Sequence, residues 1–205
     1  MAQHRVCPWW LGRILASPLR RLMYDPANIL APYVREGMTI LEPGPGMGFF
    51  TLELARRVGA CGRVVAVDIQ PRMLDGLKRR AAKAGLLERL DIRLAQAGSM
   101  GLVGLTATVD FALAFAVVHE TPSARSFFAE VGPTLKPGAG LLLVEPSGHV
   151  KAAQFEAELA AAARAGLTLA ERLSIRRSHA TQLKKASGQA WTRSVCANSG
   201  SGLDV

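Results

Sequence analysis

A chain of 205 residues with 49% apolar content is long enough for one full hydrophobic core and fits a single domain. No run of 18 apolar residues occurs, so no membrane-spanning helix is expected. Cys7, Cys61 and Cys196 are scattered without a C-x-x-C pair, and the N-terminus lacks a signal peptide's apolar stretch. That argues against a disulfide scaffold, a thiolate metal site and secretion, and it fits the cytoplasm. The net charge of +9 is uneven, with +7 in residues 1–100 and +2 in residues 101–205. Such an excess could attract nucleic acid, but the cluster Lys78, Arg79, Arg80 and Lys83 lies opposite an apolar stripe of Met73, Leu74, Leu77 and Ala81. A solvated helix face accounts for it.

Residues 1–37 precede the first predicted strand and read as an N-terminal arm. It is aromatic at Trp9 and Trp10, and those rings either pack it down or form a lid over a cleft. Within it, Pro26 fits the first turn of a helix capped by Asp25, with Ile29, Leu30, Tyr33 and Val34 on the buried side. Thr39 to Leu41 reads as a short buried strand ending at Glu42. Gly44, Gly46 and Gly48 then follow at every second position, and from Phe49 the apolar spacing becomes helical through Phe50, Leu54 and Val58. A strand, a glycine turn and a helix bring bare backbone close to a ligand at the strand's carboxyl end.

Spacing separates two nucleotide ligands. A dinucleotide fingerprint starting at Gly44 and Gly46 needs a small residue at position 49, where this chain has Phe. The carboxylate of Glu42 would repel a pyrophosphate but suits an ammonium group. The next strand, Arg63 to Val67, ends in Asp68, an acid placed to accept hydrogen bonds from ribose hydroxyls. Pro71 opens a helix that stops near Gly85, and Leu90 to Ala95 alternates as a third strand. Val109 to Phe115 is apolar enough for a central parallel strand. It leads to Val117-Val118-His119-Glu120 and to a helix opened by Pro122 that contains Phe127, Phe128, Val131 and Leu135. Lys136 to Gly140 reads as a helix stop and turn, Leu141 to Val144 as a fifth strand, and Glu145-Pro146 as its end. Phe155, Leu159, Ala162 and Ala163 mark a further helix ended by Gly166. Leu167 to Ile175 and Ser178 to Leu183 follow as a sixth strand and an antiparallel seventh. Residues 186–205, rich in Ser, Gly and Asn, read as a mobile tail. The predicted fold is α/β, a doubly wound Rossmann-like sandwich on a mostly parallel seven-stranded sheet with an antiparallel last strand. Residues 38–185 form its ligand-binding domain.

Glu42, the G-x-G-x-G run, Asp68, His119-Glu120 and Leu135-Lys136-Pro137-Gly138 together resemble the class I S-adenosylmethionine (SAM)-dependent methyltransferases, in their small-molecule branch. The resemblance covers about residues 35–185 and implies SAM as cofactor. It places the cofactor site on Glu42, Gly44, Pro45, Gly46, Gly48, Asp68, Ile69, Gln96, Ala97 and Ala114. The family commonly carries an acid for the adenine amino group after the third strand; here Gln96-Ala97-Gly98-Ser99 supplies none, leaving Gln96 or Ser99 to substitute. A general base is needed only if the acceptor must lose a proton. His119 suits that role at neutral pH and Glu145 stands beyond the fifth strand, so these two are the catalytic candidates, with Glu120 and His149 nearby. Tyr24, Trp9 or Trp10 could face a sulfonium through cation–π attraction. The expected acceptor is a small molecule. An RNA or protein methyltransferase is the alternative, suggested by the basic N-terminal half, although no Asn/Asp-Pro-Pro-Tyr or Pro-Cys motif is present. A catalytically silent SAM-binding domain is a third reading, suggested by the missing adenine acid.

Overall fold

Side-chain alternation within four strands decides the architecture. In β1 (Thr39–Pro43), Ile40 and Leu41 enter opposite cores, as do Val64 and Val65 of β2 (Arg63–Asp68). The same holds for Leu113 and Ala114 of β4 (Val109–Phe115), and for Leu141 and Leu142 of β5 (Leu135–Pro146). Strands apolar on both faces must be covered on both, so they lie at the centre of the sheet with helices on either side. The strands β3 (Leu90–Leu94) and β6 (Leu167–Leu173) are only partly buried and form the two edges. The sheet order is β3-β2-β1-β4-β5-β7-β6, all parallel except β7 (Ser178–Lys185), which runs antiparallel to both β5 and β6. The expected doubly wound, seven-stranded sheet with an antiparallel last strand is the fold found.

This computed structural model describes residues 23–187. The expectations for Trp9, Trp10 and the lid they would form, and for the tail beyond position 187, lie outside the described residues. One face of the sheet carries α1 (Pro26–Leu30), α2 (Thr51–Val58) and α3 (Pro71–Lys83); the other carries α4 (Ala124–Thr134) and α5 (Ala152–Arg164). Asp25 caps α1 as expected, accepting from Ala27 N at 3.0 Å, and Pro26 occupies the first turn. Leu30 and Val34 then pack beneath β1 with Phe50, Leu54 and Val58 of α2. Arg57 of α2 donates to the Ala27 carbonyl at 2.7 Å, joining the two helices.

Both ends of α4 and the start of β5 differ from the sequence reading, and β6 stops at Leu173 rather than Ile175 while β7 runs on to Lys185. Helix α4 begins at Ala124 rather than Pro122, capped by Ser123, and ends at Thr134, so Leu135 belongs to β5 and not to the helix. Pro133 cannot donate a backbone hydrogen bond. The carbonyls of Pro133 and Thr134 are instead taken by Ala107 N and Thr108 N, at 3.0 Å each, from the segment entering β4. The predicted turn at Lys136 to Gly140 is absorbed into β5 as an irregularity. Leu135 pairs with Val109 and Gly140 with Phe111, and the residues between them bulge out at Gly138 (φ +78°). Asp110, inside that irregularity, accepts from Thr39 N at 2.8 Å and from the Lys136 ammonium, which ties β4 to β1 and β5.

Candidate active site

The strand order reverses between β1 and β4, each leading to a connection on a different side of the sheet. In open α/β sheets the ligand crevice lies at such a reversal, at the carboxyl ends of the strands. The glycine turn lies on its floor. Gly44, Gly46 and Gly48 adopt φ of +69°, +55° and +84°, a region that L side chains enter only with strain. Their surroundings differ. A Cβ on Gly44 would come within 2.6 Å of Val117 Cγ2, and one on Gly48 within 2.5 Å of Leu77 Cδ1. A Cβ on Gly46 would meet nothing within 4 Å. Gly44 and Gly48 are therefore needed for packing, whereas Gly46 leaves its backbone facing open space. Arg80 clasps the turn from α3 by donating to the Met47 carbonyl, so one member of the basic cluster is structural rather than merely solvated.

Two buried acids flank the turn. Asp68, at the end of β2, accepts from Gln70 N at 2.9 Å and from Gly46 N at 3.3 Å. Burial raises its pKa, while the backbone N–H groups of Gln70, Gly46 and Ile69 oppose that rise. Glu42 is 4% exposed, and its Oε2 meets no hydrogen-bond partner; nor does the buried Thr51 hydroxyl. Burial is the largest cause of a pKa pushed up to about 7. The negative charge of Asp68 adds to it, and the neighbouring Thr51 hydroxyl, outside hydrogen-bonding geometry, offsets part of it. A buried acceptor without a donor is costly, and it marks where a cationic donor would be accommodated.

Across the crevice, β4 is followed by Ala116 at φ +56° and then by a 3-10 turn over Val118–Glu120. Glu145, wholly buried at the end of β5, holds that turn. Its Oε1 accepts from Val117 N at 3.2 Å and Val118 N at 2.8 Å, and its Oε2 pairs with His119 Nδ1. All the acceptor capacity of Glu145 thus points at one loop, and the pairing at Nδ1 leaves Nε2 as the nitrogen able to take a proton from elsewhere. Burial works to lower the His119 pKa. The hydrogen bond to Glu145 and the charges of Glu145, Glu120 and Glu158 outweigh it, so the net shift is upward. The ring of His149 stands edge-on to His119 with centroids 5.6 Å apart. Val117, two residues before His119, is also the residue pressed against Gly44, so the base candidate and the glycine turn share one packed contact.

The model of a family described as a methyltransferase domain matches residues 40–138. A ubiquinone biosynthesis O-methyltransferase from Methylocella silvestris is 34% identical over 113 residues, 55% of this chain and 41% of that protein. An arsenite methyltransferase from Halobacterium salinarum is 29% identical over 102 residues, 50% of this chain and 25% of that protein. The chain thus spans less than half the length of these relatives. A SAM-dependent methyltransferase from Aquifex aeolicus superposes with a TM-score of 0.78 at 25% identity, over 88% of this chain and all of that one. Residues 40–138 carry the methyltransferase domain of the class I SAM-dependent family. SAM is accordingly its cofactor.

The residues of this family member fit that cofactor on the structure's own terms. An orphaned acid stands beside the turn, Gly46 faces open space, and a recess of about 270 Å³ opens over Ile69–Arg72 next to Asp68. Ile69 is 48% exposed at the edge of that recess, whereas Pro45 is buried under the turn. Gln96 and Ala97 are exposed at the end of β3, where Gln96 forms an isolated bridge with Ser99. Ser99 is engaged elsewhere. Its hydroxyl donates to Glu130 of α4 at 3.3 Å and accepts from Gly101 N at 3.2 Å. Ala114 is wholly buried in the core of β4. Tyr24 lies edge-on to Phe115 with centroids 5.1 Å apart and hydrogen-bonds Ser178 at 3.2 Å, so it is tied to the end of β4 and the start of β7. Sequence reasoning missed Thr51, Arg80 and Glu158. Of these only Glu158 left a signal, as an acid on the apolar Phe155–Ala162 stripe of α5.

Proposed function

We propose that this protein transfers the methyl group of SAM to a small molecule whose acceptor atom must lose a proton. The observation that carries this reading is one packed unit. The orphaned Glu42, the glycine turn and Asp68 are joined through the Gly44–Val117 contact to a His–Glu pair across the crevice. SAM supplies a methyl on a sulfonium, already activated for displacement. Glu42 would hold its ammonium group, Asp68 its ribose hydroxyls, and the backbone at Gly46 its methionine end. The recess beside Ile69 would take the adenine, with Gln96 and Ala97 exposed at the end of the neighbouring β3. These contacts fix the donor, and holding donor and acceptor in register is the largest contribution such an enzyme makes, on the order of 7–11 kcal/mol.

His119 then removes the acceptor's proton at Nε2. Glu145 fixes the tautomer and stabilises the imidazolium, a division of labour typically worth 10²–10⁴-fold in rate. A small acceptor is favoured because relatives named for ubiquinone biosynthesis and arsenite share this domain. Among the described residues no helix is long and apolar enough to cross a membrane.

The test is incubation with methyl-labelled SAM and three acceptor pools: phenolic and other hydroxylated metabolites, total RNA, and protein. Label in the metabolite pool, lost in His119→Gln with SAM binding retained, is the expected result. Label in RNA or protein alone would replace this reading with a macromolecular acceptor. Binding of SAM with no label in any pool would make the domain catalytically silent.

A further inference from the structure

Beyond the carboxyl end of β5, two short segments lie side by side and hold no acid. Residues 146–151, leading from β5 to α5, contain His149 and Lys151, and residues 174–178, which turn β6 into β7, contain Arg176 and Arg177. Because β7 runs antiparallel to both β5 and β6, the β6–β7 turn stands at the sheet edge where β4 and β5 end. Glu145 pairs with His179 and Pro146 with Ser178, so the turn lies beside the residues that follow Glu145.

Hydrogen bonds lock the two segments together. Ser147 donates to the Arg177 carbonyl twice, from its N–H at 3.0 Å and from its hydroxyl at 2.9 Å. Ser178 closes the turn from its N–H to the Ile175 carbonyl at 3.1 Å, and its hydroxyl donates to the Arg176 carbonyl at 3.2 Å. The loop that supplies Ser147 also carries His149, whose ring stands edge-on to His119. Contacts therefore run from His119 to His149, along the chain to Ser147, and across to Arg177.

Arg177 takes φ +54°, at a position where turns ordinarily carry Gly or Asn. Backbone strain of this kind is held in place by its surroundings and gathers where a side chain serves a ligand. Arg176, Arg177 and Lys151 are all exposed. Among the described residues none of the three takes part in an ion pair. Glu156, which shares a recess with Ser178 and His179, is already taken by Arg172 at 2.8 Å. Like charges on adjoining segments repel, and an arriving anion relieves that repulsion.

We infer that Arg176 and Arg177, with Lys151, form a cationic rim on the acceptor side of the site, and that the acceptor is a small molecule bearing a carboxylate or phosphate group. The inference rests on the reading of His119 as base and adds to it the charge of the substrate. The rim binds and orients; the methyl and the proton move as in the proposed reaction. A guanidinium offers two parallel N–H donors to either oxyanion, so it fixes the direction of an acceptor as well as its presence.

The test uses a metabolite extract divided on an anion exchanger at pH 7 into a retained and an unretained fraction, with total RNA as a third arm. Each is incubated with the full-length protein and methyl-labelled SAM. Label is expected in the retained fraction, and phosphatase treatment of that fraction abolishes it only if the anionic group is a phosphate. The double variant Arg176→Gln/Arg177→Gln should need about tenfold more of the retained fraction for half-maximal rate, with maximal rate and calorimetric SAM affinity little changed. Arg176→Lys/Arg177→Lys should recover most of that loss. Added salt should raise the half-saturating amount in wild type more than in the glutamine variant. Arg177→Gly separates charge from folding, because φ +54° suits glycine; it should keep wild-type thermal stability and still weaken use of the acceptor. Label confined to the unretained fraction, or equal half-saturation in wild type and the glutamine variant, would overturn the inference, and its loss in His119→Gln would leave the base reading standing. Label in the retained fraction that persists at the wild-type rate in His119→Gln would overturn the base reading instead. Label in RNA alone would overturn both the inference and the small-molecule reading.

Discussion

Replacing Glu42 by Gln gives a prediction whose size follows from its burial. The carboxyl is 4% exposed, and its pKa rises from 4.5 to about 7. At about 1.4 kcal/mol per pH unit, that is a cost of up to about 3 kcal/mol to the cofactor-free fold. The sign follows from comparing the two states. Below 4.5 both folded and unfolded chains hold the proton, and Glu42 contributes nothing. Between 4.5 and about 7 the unfolded chain ionises while the folded one resists, so stability falls as pH rises. Above about 7 the full penalty is present. Glu42→Gln carries no charge, so it should match wild type at the acid end. Near neutrality it should exceed wild type by up to about 3 kcal/mol, as read from urea unfolding at several pH values. SAM should reverse the ordering. An ammonium beside Glu42 favours the carboxylate, so binding below pH 7 should release a proton, visible as a dependence of calorimetric heat on the buffer's ionisation enthalpy. Affinity for SAM should rise with pH toward 7 in wild type and stay flat and weaker in Glu42→Gln. A stability difference independent of pH, or wild-type affinity in the variant, would refute the reasoning.

Gly46→Val should abolish SAM binding by calorimetry. It should lower thermal stability only by the cost of a left-handed residue, about 1–2 kcal/mol, because no neighbour lies within 4 Å of a Cβ there. Gly48→Ala, whose Cβ would press on Leu77 Cδ1 at 2.5 Å, should instead lose stability first, by about 1–3 kcal/mol in urea unfolding. Asp68→Ala should weaken SAM by roughly 1.5–3 kcal/mol and Asp68→Asn by less, and competition with a 2′,3′-dideoxy cofactor analogue should remove the difference. The raised pKa of His119 implies that kcat climbs with pH through a midpoint above 6.5. A pH–rate profile centred at or below that value would count against His119 as the base.

Local pattern was enough to determine the sheet, the glycine turn and the two acids at its mouth. A strand apolar on both faces, such as Val109–Phe115, can only be central, and a G-x-G-x-G run after Glu42 marks a tight turn at a strand's carboxyl end. Those are nearest-neighbour constraints, and they are written in consecutive residues. The end of α4 was less legible. The helical spacing of Phe127, Phe128, Val131 and Leu135 carries no trace of Ala107 and Thr108, 26 residues away, which take the last carbonyls and end the helix early. The chemistry of the crevice was least legible of all. His119 and Glu145 were visible as candidates, but not that one carboxylate holds Val117, Val118 and His119 together, or that Val117 closes on Gly44. Nor could the sequence show that Glu158 is buried, since an acid on an apolar helical stripe is recognised as such only once α5 is seated on the sheet. The strength of a base depends on the charges and the dielectric around it. Those are set by residues distant in the chain, so only the tertiary structure decides them.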